Sequence, residues 1–412
     1  MDNNFFHTSI SHHIWDTKYR YRKDGEIVDQ TPDDTWRRIA HALASIEKED
    51  AAYWEQAFYN VLSNLQFLPG GRIIAGAGTD HKVTLFNCFV MGMIQDSIPS
   101  IFENLKEGAL TMQQGGGIGY DFSTLRPEGS LAKSSNNVSS GPVSFMKIWD
   151  TMCATMLSIG ARRGAMMATL RCDHPDIMAF VTAKQTPETL KNFNLSVMAS
   201  DSFMEAVNKD TDWPLVFPAK ELSSKTSSHD RIIHRQWSGT DGPIPCKVVD
   251  TIRARALWKA IMNSTYNYAE PGILFIDRIN EQNNLSYYEQ ISATNPCGEV
   301  PLPPYGACNL GSLNLTQFVR HPFSNNAKMN MEELRKTVQI AVRLLDNVID
   351  ASQFPLNKQQ VQAQDSRRIG LGIMGLADTL IMLGLHYGSA EGRQTAATIM
   401  KTICHTAYPT SV

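Results

Sequence analysis

The chain has 412 residues, 42% of them apolar and 19% charged, with a formal net charge of −3. That balance describes a folded protein with a sizeable core rather than a disordered one, and it gives no general means of gripping a polyanion, so no nucleic-acid partner is expected and any nucleotide is held locally. No run approaches the ~18 uninterrupted apolar residues of a membrane helix, and the start lacks a basic region followed by an apolar one, so a cytoplasmic protein with no membrane partner is expected.

After about twenty polar and aromatic residues without clear periodicity, Thr31-Pro32-Asp33-Asp34 predicts a helix start. Thr31 is suited to cap, Pro32 to the first turn, and the acids to the positive end of the dipole. Trp36, Ile39, Ala40, Leu43 and Ala44 recur at helical spacing, and a second run through Tyr53, Ala57 and Val61 predicts a helical pair before the turn at Pro69-Gly70-Gly71. A boundary is expected near residue 66, with 1–65 an amino-terminal helical region and 66–412 one α/β unit. In that unit strand-like runs (Leu85 to Met93, Phe193 to Met198, Ile273 to Ile276, Leu310 to Leu315) alternate with helical ones. The helices are expected at Ser100 to Met112, Val143 to Leu157, Thr251 to Tyr266, Met331 to Ile349 and Ile369 to Leu383. The polar run 223–228 reads as an exposed loop. The final run, Ala390 to Val412, reads as a helix that stops without a polar tail, which suggests a partner segment.

The seven cysteines, at 88, 153, 172, 246, 297, 308 and 404, contain no Cys-x-x-Cys and fit neither a secreted disulfide framework nor a zinc pattern, so no metal site is expected. Asn295-Pro296-Cys297-Gly298-Glu299 is the sharpest local feature. If extended, it would turn Asn295, Cys297 and Glu299 to one side, joining a hydrogen bonder, a nucleophile or hydrogen-atom carrier, and an acid or base. A loop with a buried cysteine explains those five residues equally well.

Their company decides. Asn87-Cys88 and Gly115-Gly116-Gly117-Ile118-Gly119 stand upstream, and Cys308-Asn309-Leu310-Gly311-Ser312-Leu313-Asn314 stands downstream. In this order the motifs resemble the catalytic subunit of ribonucleotide reductases, over residues 69 to about 380. The resemblance implies a ten-stranded α/β barrel, incomplete here, with Cys297 on a central loop. It implies Cys297 as the transient thiyl radical, Glu299 as the base on the 3'-hydroxyl, Asn295 as the holder of the 2' and 3' oxygens, and Cys88 with Cys308 as the redox pair. Asn87, Gly71 and Gly117 would line the substrate pocket. Asp96, Ser97, Arg126 and Lys133 would take an effector nucleotide, with Arg163 in the basic turn that relays its identity.

Pro296 and Gly298 around the cysteine, the entry Trp15-Asp16-Thr17-Lys18-Tyr19-Arg20-Tyr21-Arg22, and only about 65 residues before the catalytic region, too few for a roughly 100-residue ATP-sensing domain, resemble the adenosylcobalamin-dependent kind. The Asp-x-His-x-x-Gly pattern of other corrinoid proteins is absent. The implied partners are ribonucleoside diphosphate substrates, dNTP or ATP effectors, a thioredoxin-like reductant, a second copy in a homodimer, and a complementary carboxyl-terminal segment carrying the family's later strands. A nucleotide-binding module without turnover and a diiron-dependent catalytic subunit are the alternatives.

Overall fold

The computed structural model describes residue 6 and residues 8–131, 138–156, 164–186, 189–222 and 230–412. The polar run 223–228 and the candidate residues Lys133 and Arg163 lie outside the described residues. The chain divides into two compact units, one formed by Met1–Asn87 with Cys308–Val412 and the other by Cys88–Ala307.

In the first unit the helix Pro32–Ala44 begins as the sequence predicts. Thr31 accepts from the Asp34 N–H, and the Asp34 carboxylate accepts from the Thr31 N–H at 2.7 Å, a reciprocal cap that satisfies two amides left open at the helix start. Trp36, Ile39, Ala40, Leu43 and Ala44 are all buried. The next helix, Ala51–Ser63, buries Phe58, Val61 and Leu62, whereas Tyr53 is 64% exposed. Its inward stripe is therefore rotated from the Tyr53, Ala57, Val61 face the spacing suggests.

Helix Met331–Ala351 supplies the largest apolar stripe of this unit, burying Leu334, Val338, Ala341, Leu345 and Val348. Strand Leu310–Asn314 lies between Gly370–Met374, to which it is parallel, and Phe67–Pro69, to which it is antiparallel. The single helix expected over Ile369 to Leu383 is thus a strand followed by a helix, Leu376–Met382. Gly370 and Gly372 lower helix propensity in the first part, and Gly375, at φ +75°, makes the break. The final helical run is observed at Ala390–Ser411.

The second unit is built on five parallel strands: β1 (Cys88–Val90), β2 (Gly117–Asp121), β3 (Met166–Arg171), β4 (Phe193–Ala199) and β5 (Gly272–Phe275). Neighbours along the sheet follow one another as β1-β2-β3-β4-β5, so the order along the sheet is the order in sequence, and the sheet stays open with edges at β1 and β5. Helices α1 (Ile98–Gln113) and α2 (Gly141–Thr155) make the first two crossovers, the connection that parallel neighbours require. A small antiparallel sheet, with Pro243–Arg253 between Asp212–Pro218 and Ile232–Gln236, is inserted before β5 around Val216, Phe217, Trp237 and Cys246. The helix expected from Thr251 begins at Ala254, because residues 251–253 complete the middle strand of that sheet. Among the described residues no helix is long and apolar enough to cross a membrane.

The two faces of the parallel sheet differ because side chains alternate along a strand. Ile118 and Tyr120 of β2 point to one face, where the Tyr120 hydroxyl donates to the Asn104 carbonyl of α1 at 2.7 Å and its ring meets Trp149 of α2 edge-on. Gly117 and Gly119 point to the other face. Register places Cys88 beside Gly117, Gly119 beside Met167, and Met167 beside Asn194, so these residues share that second face.

Candidate active site

The second face is covered by a short hairpin. β6 (Ala293–Thr294) pairs with β7 (Pro301–Leu302), Ala293 opposite Leu302, and residues 295–300 close the loop. The loop can lie on the sheet only because of the glycines beneath it. A Cβ at Gly119 would sit 1.8 Å from the Thr294 carbonyl oxygen, and one at Gly117 would sit 2.7 Å from Pro296 Cγ and 3.6 Å from Cys88 Sγ. Polar side chains of the same face hold the loop backbone: Asn194 Nδ2 donates to the Pro296 carbonyl at 2.7 Å, and the Thr169 hydroxyl to the Ser292 carbonyl at 3.2 Å.

Asn295 to Gly298 is a turn rather than the extended segment considered from sequence. The Gly298 N–H donates to the Asn295 carbonyl at 3.1 Å, and Gly298 takes φ +81°. Asparagine first, proline second and glycine fourth are the preferences of a tight turn, and they override alternation. Asn295, Cys297 and Glu299 consequently do not share a face. Asn295 is fully buried, its Oδ1 accepting from the Val300 N–H at 3.0 Å, while Cys297 and Glu299 are exposed. The Asn295 Nδ2 has no hydrogen-bond partner among the described residues. A buried amide is left so only at a cost, and here its NH2 group is available to donate to a ligand.

Cys88, buried on β1, Gly117 and the Asn295–Glu299 turn are therefore brought together within the second unit. Asn87, Gly71 and Cys308 belong to the first unit. There the Asn87 N–H donates to the Cys308 carbonyl at 3.2 Å, and Asn87 Oδ1 accepts from the N–H of Arg72, next to Gly71, at 3.4 Å.

The effector candidates Asp96, Ser97 and Arg126 also come together in the second unit. Ser97 caps α1, its hydroxyl accepting from the Ser100 N–H, and Arg126 Nε meets Asp96 Oδ2 at 2.6 Å with both side chains 11% exposed. Burial raises the Asp96 carboxyl above the usual range, with Arg126 opposing the shift. In the glycine run, Gly115 ends α1 at φ +89°, the Gly115 and Gly116 N–H groups returning to the Met112 and Thr111 carbonyls. Only Gly117 of the three belongs to the strand beneath the turn.

Sequence reasoning missed Gly119, Thr169 and Asn194. The alternation Gly117-Ile118-Gly119-Tyr120 was the available signal for a strand with one close-approach face.

Residues 86–412 match the ribonucleotide reductase barrel domain, and residues 5–82 match the all-alpha domain of the same large subunit. The chain is 37% identical over 388 residues to a vitamin B12-dependent ribonucleoside-diphosphate reductase of Mycobacterium tuberculosis (strain CDC 1551 / Oshkosh), covering 94% of this chain and 51% of that protein. It is 39% identical over 354 residues to the protein of the same name from Thermoplasma acidophilum, covering 86% and 42%. A ribonucleoside-diphosphate reductase subunit alpha of Chlamydia pneumoniae is 27% identical over 366 residues, covering 86% and 34%. The chain thus spans about half the length, or less, of these curated relatives. With a domain match over most of its length and a sheet of sequential parallel strands, the chain belongs to the ribonucleotide reductase large-subunit family.

Proposed function

We propose that this chain carries the radical and effector half of an adenosylcobalamin-dependent reductase that converts ribonucleoside diphosphates to 2'-deoxyribonucleoside diphosphates. The observation that carries the reading is the Asn295–Glu299 turn: a thiol exposed at its tip, and an amide donor buried beneath without a partner. An exposed thiol fits a cofactor that arrives from outside the protein. Adenosylcobalamin, when bound, supplies the radical equivalent, and Cys297 is the group proposed to receive it.

Cys297, as a thiyl, takes the ribose 3'-hydrogen while Glu299 takes the proton of the 3'-hydroxyl and Asn295 Nδ2 holds a ribose oxygen. The 2'-hydroxyl leaves as water. Cys88 and Cys308 supply two protons, one to the departing water and one to C2', and two electrons, and end as a disulfide; the hydrogen then returns from Cys297 to C3' and the proton from Glu299 to the 3'-oxygen. The sum is one C–O bond exchanged for C–H, two thiols oxidised and one water formed. Support for that pair is local: Phe89, after Cys88, bridges Ala307, before Cys308, in antiparallel fashion within the second unit. A thioredoxin-like dithiol must reopen the disulfide between turnovers.

Asn87, Gly71 and Gly117 are proposed to line the substrate pocket. Asp96, Ser97, Arg126, Lys133 and Arg163 are proposed to take a dNTP or ATP effector. Homodimerisation is proposed through α1, on which Ile98, Phe102 and Leu110 are exposed. The relatives are about twice as long as the stretch matched here, so the activity is proposed to require a complementary carboxyl-terminal segment. The test is dCDP formation from CDP with adenosylcobalamin, a dithiol and an effector nucleotide, with and without that segment. Turnover in the mixture supports the reading, and its absence there contradicts it.

A further inference from the structure

Tyr305 has its backbone in the left-handed region, at φ +64°, where an aromatic side chain is strained and persists only if its surroundings enforce it. The neighbouring Gly306 could adopt that conformation without strain, yet it is not among the residues with positive φ. Its ring and its hydroxyl are both held. Its ring occupies space left by Gly92, where a Cβ would sit 2.1 Å from the phenol oxygen, and its hydroxyl donates to Glu107 Oε2 at 3.1 Å. Glu107 is on α1 and only 6% exposed, so this bond is made largely away from water, where it is stronger and costlier to lose. Immediately beyond, the chain docks on β1: the Val90 N–H donates to the Gly306 carbonyl at 2.9 Å, and Phe89 bridges Ala307. The next residue is Cys308.

We propose that the Tyr305–Glu107 bond is a tether that fixes residues 306–307 on β1 and thereby positions Cys308 for disulfide exchange. Tyr305 is a positioning residue, and the assignment rests on the reading of Cys308 as a redox cysteine. The strain is kept because it aims the hydroxyl at α1 while the following residues stay in register.

The first readout is hydrogen exchange at the Val90 amide, which reports the pairing without any thiol chemistry. Tyr305→Phe and Glu107→Ala should each speed exchange there by about tenfold, and the double variant no more than either alone, because both remove one bond. Tyr120→Phe, which removes a hydroxyl bonded to the same helix but not to this segment, should leave Val90 unchanged. Val90 exchange in Tyr305→Phe equal to the parent overturns the tether. The second readout is the Cys88–Cys308 equilibrium in dithiothreitol buffers, where Tyr305→Phe should weaken the disulfide by about tenfold, a shift of about 30 mV. Faster exchange with an unmoved equilibrium overturns the positioning role. A parent chain that never forms this disulfide overturns the redox reading itself, and the positioning role with it.

Discussion

The two faces of the five-stranded sheet solve opposite problems. On one, Tyr120, Phe122 and Trp149 are fully buried and stack edge to face, filling the space between sheet and helices with aromatic volume. On the other, Gly117 and Gly119 remove side chains so that a hairpin backbone can rest on the strand, and Asn194 and Thr169 hold that backbone by its carbonyls. The first face is built to be stable. The second is built to hold a turn in one place, with a thiol exposed at its tip.

The contrast can be broken by substitution. Trp149→Ala on the helix-covered face should cost about 4 kcal/mol in urea unfolding, from lost burial plus the cavity left behind. A cost under about 1 kcal/mol would mean that this face is not the stabilising one.

Next in size is a pH effect in the same unit. His174 is fully buried, with Nδ1 accepting from the Asp176 N–H at 3.0 Å and Nε2 within 2.9 Å of the Leu125 carbonyl, so the neutral ring satisfies both neighbours. Burial pushes its pKa from 6.5 down to about 4. The unfolded chain then binds the extra proton first as pH falls. The contribution is present above pH 6.5 and is lost as pH drops toward 4, about 3 kcal/mol in all. His174→Gln should flatten that part of the pH–stability curve, and an unchanged curve would remove His174 as its source.

On the hairpin-covered face, Gly119→Ala forces a methyl against the Thr294 carbonyl and should cost about 2 kcal/mol while displacing the turn. Gly242→Ala, with nothing within 4 Å of the added carbon, is the matched control and should be nearly silent. The smallest effect is expected from Asn194→Ala, which removes one bond to the Pro296 carbonyl: about 1 kcal/mol, with faster alkylation of Cys297 by a maleimide. Equal alkylation rates would show that Asn194 does not set the turn.

What was legible in the sequence follows the range of the forces involved. The Thr31 cap and the Trp36 to Ala44 stripe are local and were read correctly. The segment after Ile369 has helical apolar spacing, but its glycines disfavour a helix and pairing with Leu310–Asn314, a contact distant in sequence, makes it a strand. β3 is not legible from pattern because it is buried on both faces and shows no alternation to read. The Asn295–Glu299 motif was recognised as a unit, but alternation was the wrong rule for a segment with proline and glycine at turn positions. Roles for its residues came from resemblance to a family, not from spacing. The Tyr305–Glu107 bond joins residues 198 apart, and nothing local to either one announces it.

Thiol environment provides the most direct test of the central claim. Burial, with Asp173 adding to it, pushes the Cys172 thiol up to about 12, an inert core thiol, whereas Cys297 stands exposed on its turn. Cys297→Ala and Cys172→Ala should therefore be compared for dCDP formation, each supplied with the carboxyl-terminal segment, adenosylcobalamin, a dithiol and an effector. The account predicts no product from Cys297→Ala and retained turnover in Cys172→Ala. Product from Cys297→Ala would contradict it.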